Sequence, residues 1–541
     1  MSKTMKRVLM TTLTAVLATG VMAGCSQKEN PAGSSSPSPL ASTAETKYPL
    51  QTNAKLKVFM GANKDIAQLV SNMGETPFMK ELEKRTGVKL EFIHPTVGAE
   101  KDFFNTLIAS GDLPDIFIGN MGDYPGGASA AEKDGVILSL NDILPKYAPN
   151  AWNLISKDKE MDKMVKTDTG KYLMFPSVRS ELGKVFAGPL LRADWLKELN
   201  LPVPETIDEW YTVLKTFKEK KGATAAFGYE GKSTPALLRD VFLGAYKTDY
   251  AFYVDDKGKV QFGAATQEYK SFLTTFHKWY EEGLIDKDFP LTDANKLKSL
   301  IDQNKTGAFI GQSGGYIRSL LDKYKTSNPT FDLVGAKYPV LKKGDTPFSG
   351  QKDQKFNAPF SAVITAKSKN VEIAAKFLDY FFTPEGIQFS NFGIENTTYK
   401  LENGKPKFTE FVTSNPNKWT STQVQAMYSS FNGFPAVELP EKIEQLNIYK
   451  QQTEALKVWA QTDADKHAFR DSVISHTEEE SKIVAKYNED VYKYAEQMFT
   501  KFVFGSESLD NYQKYLDQLK ALGVDQLIKA KQDAYDRYMK R

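Results

Sequence analysis

From Lys55 the chain alternates polar and apolar positions. Lys55-Leu56-Lys57-Val58 runs into Phe59-Met60, and the period of two predicts a strand. Thr76-Pro77 then reads as an N-cap followed by a first helical position. Phe78 and Leu82, four apart, mark the buried face of a helix that Gly87 ends. Val88, Leu90 and Phe92 alternate again. Phe103, Leu107 and Ile108 carry a second helix closed by Gly111, and Ile116-Phe117-Ile118 is a short, wholly apolar strand. Strand, helix, strand, helix, strand in that order predicts a parallel sheet covered by helices.

A second unit is expected from about Lys184. Thr206 and Glu209 have capping-box spacing, and Trp210, Leu214 and Phe217 mark one helical face. Residues 307–310 and 362–365 read as strands, with helices through Phe272, Phe276 and Tyr280 and through Ile373, Phe377 and Phe381. From about Pro440 the pattern is almost entirely helical, and its Lys and Glu residues read as a solvated helix surface. No short internal repeat is present.

The first 49 residues follow a different rule. Lys3, Lys6 and Arg7 precede an apolar stretch, residues 8–22, that is too short and too lightly hydrophobic for a membrane span. It ends in Met22-Ala23-Gly24-Cys25, and Cys25 is the only cysteine of the chain. Small residues before a single cysteine resemble a bacterial lipobox, in which the thiol is lipidated and the chain is cut just before it. We read residues 1–24 as a signal peptide and 25–49 as a lipidated Cys25 with a flexible linker. The linker is rich in Ser, Pro, Ala, Thr and Gly, and would reach on the order of 25 Å as a coil. The expected location is the extracytoplasmic face of the cell membrane, held by lipid alone. Removing residues 1–24 takes the formal charge from +3 to 0, which removes any global electrostatic reason to bind nucleic acid or anionic lipid. A single cysteine excludes disulfides within the chain and thiolate metal sites.

Phe104-Asn105-Thr106-Leu107-Ile108-Ala109-Ser110-Gly111-Asp112-Leu113-Pro114-Asp115-Ile116 resembles the signature of family 1 extracellular solute-binding proteins, which feed carbohydrate ABC importers. Residues 191–196, 201–210, 279–286 and 392–400 look like the long lipoprotein branch of that family, which handles oligosaccharides. The resemblance implies a two-lobed periplasmic-binding-protein-like α/β fold (type II) with a ligand cleft between lobes joined by crossing strands. Lobe 1 is expected over 50–178 and 346–400, and lobe 2 over 179–345 and 401–541 with a helical C-terminal region. It also implies a monomer that closes on its ligand and docks on ABC permease subunits.

Cleft residues in such folds sit on loops after strands. Candidates for ligand contact are Asn63, Asp123, Tyr124, Arg179, Glu181, Tyr229, Glu230, Gln312, Tyr316, Asn396, Trp419 and Phe431. Asn, Asp, Glu, Gln and Arg suit paired donors and acceptors on sugar hydroxyls, and Tyr, Trp and Phe suit stacking on sugar C–H faces. Each of these residues also has a plain structural reading, as core or as exposed surface.

Rival chemistries find less support. Gly311-Gln312-Ser313-Gly314-Gly315 fits G-x-S-x-G, so a surface hydrolase using Ser313 is one alternative. Its histidine would have to be His467 or His476, both in the charged helical tail, and the plain reading is a Gly-rich turn. Gly231-Lys232-Ser233 falls short of a P-loop because Ala226 stands where the first glycine belongs. Asp255-Asp256-Lys257-Gly258 lacks the alternating ligands of a calcium loop and reads as a turn. The expectation is therefore a non-catalytic receptor for an oligosaccharide, with no metal or cofactor site read from the residues. A peptide or another polar solute is the alternative cargo.

Overall fold

The computed structural model describes residues 46–541 apart from 62–63, 120, 232–240 and 431–432, and describes 64–65 by backbone alone. Strands β1 (Lys55–Met60), β2 (Lys89–Ile93) and β3 (Ile116–Ile118) are parallel, with β1 in the middle. The helices between them are Pro77–Thr86 and Glu100–Ser110. Thr76 caps the first through Met79 N–H, and Gly87 and Gly111 end the two helices at φ 75° and 70°. A left-handed C′ residue is where glycine costs nothing.

The chain then builds a second sheet. Strand β4 (Ala187–Arg192) is fully buried, β5 (Phe227–Gly228) is short, and β6 (Phe252–Val254) and β7 (Val260–Phe262) form a separate hairpin. Strands β8 (Ala308–Gln312) and β9 (Leu333–Gly335) flank β4 antiparallel, giving the order β5-β8-β4-β9. The chain finally returns to the first sheet with β10 (Ala362–Ile364), antiparallel to β3. The Asp255 turn joins β6 to β7: its carboxylate accepts from Lys257 and Lys259 N–H at 2.9 Å, so it serves the backbone.

Three segments cross between the sheets side by side. Val178 N–H donates to Ala436 O and Glu438 N–H returns to Val178 O, each at 2.8 Å. Arg179 N–H donates to Lys355 O and Asn357 N–H to Ser177 O, also at 2.8 Å.

One core holds Leu56, Val58, Phe78, Leu82, Ile116, Phe377 and Phe381 around the first sheet. The other holds Leu190, Trp210, Phe217, Phe227, Phe272, Trp279 and Phe309 around the second. Residues beyond 400, expected with the second lobe alone, feed both. Met427 and Phe434 are buried in the first core, and Trp459, Phe499 and Leu519 in the second. The C-terminal helix Val524–Lys540 spans the two, with Leu527 in the second core and Ala534 in the first. A helical tail shows which positions face inward, but not which of two apolar cores receives them.

The helix Lys450–Trp459 lies directly on β4 and β9. A Cβ at Gly188 would stand 2.5 Å from the Trp459 ring, and one at Gly335 would stand 2.6 Å from Ala455 Cβ. Trp459 Nε1 donates to Pro189 O at 3.2 Å. Among the described residues no helix is long and apolar enough to cross a membrane.

Candidate ligand cleft

A cavity of about 640 Å³ opens where the three crossing segments meet, a volume within the roughly 300–1,000 Å³ typical of small-molecule sites. The crossings supply Ser177, Arg179, Asn357 and Glu438. The second sheet supplies the Gln312–Gly315 turn at the end of β8. Phe360, Ser390 and Asn391 come from the segment after the last crossing back to the first sheet, and Gln425, Ser430, Lys442, Asn447 and Gln452 from residues beyond 400.

The Gly-rich turn is built for close approach. Ser313–Arg318 forms one wide π-turn before the regular helix Ser319–Ser327, and such turns recur at functional sites. A Cβ at Gly314 would meet nothing within 4 Å, so the cavity is open there. Ser313 is fixed by amides: its hydroxyl lies 3.1 Å from Asn447 Oδ1, and Gln452 Nε2 donates to Ser313 O at 3.2 Å. Gln452 is itself 1% exposed and belongs to the buried face that also carries Ala455 and Trp459.

Charges in the wall are matched. The Arg179 guanidinium is 2.8 Å from Asp353. Arg318 donates to Thr413 O at 2.7 Å and Leu446 O at 3.1 Å, and lies 3.4 Å from Asp322. Burial holds the Lys442 ammonium below its ordinary pKa, while the Glu438 carboxylate pulls it back up. Three polar atoms on wall residues, Asn357 Oδ1, Ser390 Oγ and Gln425 Oε1, are buried without a hydrogen-bond partner among the described residues. Such atoms are uncommon in folded proteins and call for a reason. Phe186, 38% exposed, presents an unpacked aromatic ring to the same wall.

Of the residues expected from sequence, Arg179 and Gln312 line this cavity. Glu181 stands beside it, paired to Lys184 at 2.6 Å. Tyr316 and Tyr229 are buried in the second core, 5% and 2% exposed, and the Tyr316 hydroxyl donates to Glu230. They follow the strands as expected, but their rings turn into the apolar layer. Tyr124 donates to Asp134 at 2.8 Å, and burial with that carboxylate pushes its phenol up to about 12. It and the half-buried Asp123 lie outside the cavity lining. Asn396 is an exposed turn residue at φ 62°, a conformation asparagine tolerates. Trp419 packs against the first core one residue before Thr420, which caps the helix Ser421–Tyr428; Ser421 and Thr422 reach the cavity instead. Asn63, Phe431, Cys25 and the Lys232-Ser233 pair lie outside the described residues.

The family described as bacterial extracellular solute-binding protein matches residues 71–388, and the chain belongs to that family. It is 29% identical over 344 residues to Lipoprotein LipO of Bacillus subtilis, covering 61% of this chain and 65% of that one. It is 28% identical over 410 residues to the fructooligosaccharide ABC transporter substrate-binding protein FusA of Streptococcus pneumoniae, covering 70% and 69%. The chain thus spans about two thirds of the length of these curated relatives. Among solved structures, the alginate-binding protein AlgQ2 without calcium ion superposes at TM-score 0.75 with 27% identity, over 91% of this chain and all of that one. The two-lobed α/β fold is that of these solute-binding proteins.

Proposed function

We propose that this protein captures an oligosaccharide in the cavity at the lobe crossing and delivers it to an ABC permease. The observation that carries this reading is the composition of the cavity wall: convergent amides and hydroxyls and one exposed phenyl ring. Sugar hydroxyls both donate and accept, which suits such a wall, and a sugar's C–H face suits the ring. Arg179 and Gln312 are the expected contacts retained from the sequence, and Asn357, Ser390, Gln425 and Phe186 join them. Lobe 1 is assigned 50–178 with 346–400, and lobe 2 is assigned 179–345, with the tail shared. The receptor works as a single chain without catalysis.

Catalysis by Ser313 has no support in its surroundings. Its hydrogen-bond partners are amides, which cannot serve as a general base. His467 is committed elsewhere, 2.9 Å from Val254 O and stacked on Phe348.

Thermal-shift titration against oligosaccharides and peptides tests the reading, since a ligand of the folded state raises the melting temperature by mass action. A shift is expected with oligosaccharides and is expected to vanish in Gly314→Phe, which fills the open part of the cavity without touching a core. Shifts from peptides alone would overturn the sugar assignment. A shift that survives Gly314→Phe would move the site elsewhere.

Lipid attachment at Cys25 rests on the lipobox-like Met22-Ala23-Gly24-Cys25, on membership of an extracellular family and on similarity to a relative named as a lipoprotein. Cys25→Ala is expected to abolish labelling by radioactive palmitate in bacterial cells. Retained labelling would refute the anchor.

A further inference from the structure

The cavity carries three described cationic side chains: two are paired with carboxylates, and the third, Lys442, is buried with the Glu438 carboxylate nearby. Arg179 has Asp353 at 2.8 Å, Arg318 has Asp322 at 3.4 Å, and Lys442 stands in the field of Glu438. Beside the cavity, Lys184 has Glu181 at 2.6 Å. Arg318 is further occupied by the Thr413 and Leu446 carbonyls. What remains of the polar wall is amide and hydroxyl: Asn357, Ser390, Asn391, Gln425, Asn447 and Gln452 among them.

This arrangement discriminates by charge. A sugar carboxylate entering the cavity loses its hydration. It recovers that cost against an Arg or Lys whose charge is not already balanced, ideally through a bidentate fork. Placed beside Arg179 it would also meet Asp353 at the same guanidinium, so attraction and repulsion largely cancel there, and beside Lys442 it would face the nearby Glu438 carboxylate. A neutral hydroxyl meets no such penalty. It can accept from a spare Arg179 N–H and donate to an amide oxygen in the same wall. Resting on the solute-binding reading of this cleft, we propose that its cargo is a neutral oligosaccharide and that uronate chains are excluded.

Calorimetric titration of the protein separates the two claims. The neutral arm uses inulin-type, manno- and xylo-tetrasaccharides, and the acidic arm uses tetragalacturonate and a mannuronate tetrasaccharide. The expected result is binding in the neutral arm only. The dissociation constant should change by less than about twofold between about 0.02 and 0.5 M sodium chloride, because no charge pair forms for salt to screen. Binding of either uronate, weakening by more than about tenfold over the same salt range, would overturn the neutral assignment while leaving a solute-binding cleft in place. Silence in both arms would overturn the oligosaccharide reading itself, and the proposal with it.

Discussion

Tyr316 shows how a residue can be placed correctly in the chain and wrongly in the molecule. It follows strand β8 in the Gly-rich turn, where a sugar-stacking aromatic is expected, yet its ring packs 5.7 Å from Phe309 and its hydroxyl donates to Glu230. Its substitution should therefore be felt as stability. Tyr316→Ala is expected to cost about 3–5 kcal/mol, the usual penalty for deleting a buried aromatic. Tyr316→Phe should cost about 1–2 kcal/mol for the lost hydrogen bond alone. Urea unfolding of the two variants checks this. Equal, near-zero losses would return Tyr316 to the cavity. The residues that do reach the wall were hard to see for a physical reason. Asn357, Ser390 and Gln425 lie far apart in sequence, in a crossing segment, at the end of one helix and within another, and only tertiary packing brings them together. Gln452 alone left a local trace, as a polar residue on an apolar helical stripe with Ala455 and Trp459.

At the scale of elements, local rules carried far. The β1–β3 order, the Thr76 cap, the glycine stops at Gly87 and Gly111, and the Thr206–Glu209 capping box are all present as the spacing predicts. The antiparallel entry of β10 was not legible, because its partner β3 lies more than 240 residues earlier and a strand's own pattern does not state its direction. One helix-to-helix contact carries a pH signature. Asp379, at the end of the helix Val371–Asp379, accepts from Ala151 N–H and Asn150 Nδ2 at 2.8 Å, at the start of the helix Pro149–Lys157. Burial pushes its carboxyl up to about 6, against the pull of those donors. The folded state therefore holds this proton to higher pH than the unfolded chain does. The resulting stabilisation is full below about pH 3.8 and is lost as pH rises through about 6. Melting temperatures of the protein relative to Asp379→Asn should fall over that window and stay level above it. A difference that rises with pH would reverse the assignment.

For the molecule as a whole, the decisive element is the C-terminal helix, which is anchored in both cores and tied down by charge. Arg537 meets Glu480 at 2.5 Å and Asp168 at 3.0 Å, and Lys531, 2% exposed, meets Asp471 at 2.6 Å. With one helix shared between the cores, loosening it in one lobe should be felt in the other. Leu527→Ala, which opens space in the second core, is expected to cost about 2–5 kcal/mol. It should shift the unfolding of both lobes together. With Trp152→Phe and Trp419→Phe removing the tryptophans of the first core, fluorescence from those of the second core and a label placed in the first should trace one coincident transition. Two separated transitions would show that the helix does not couple them.

The glycines under the Lys450–Trp459 helix have a consequence for genetics. Any side chain at Gly188 would fall about 1 Å inside ordinary contact with the Trp459 ring. The helix would have to lift, and it carries Gln452 with it. A search for transport-deficient alleles would then return codon 188, a position behind the wall with no surface on the ligand. The pattern of such alleles maps the mechanical support of the receptor as well as the surface it shows its cargo.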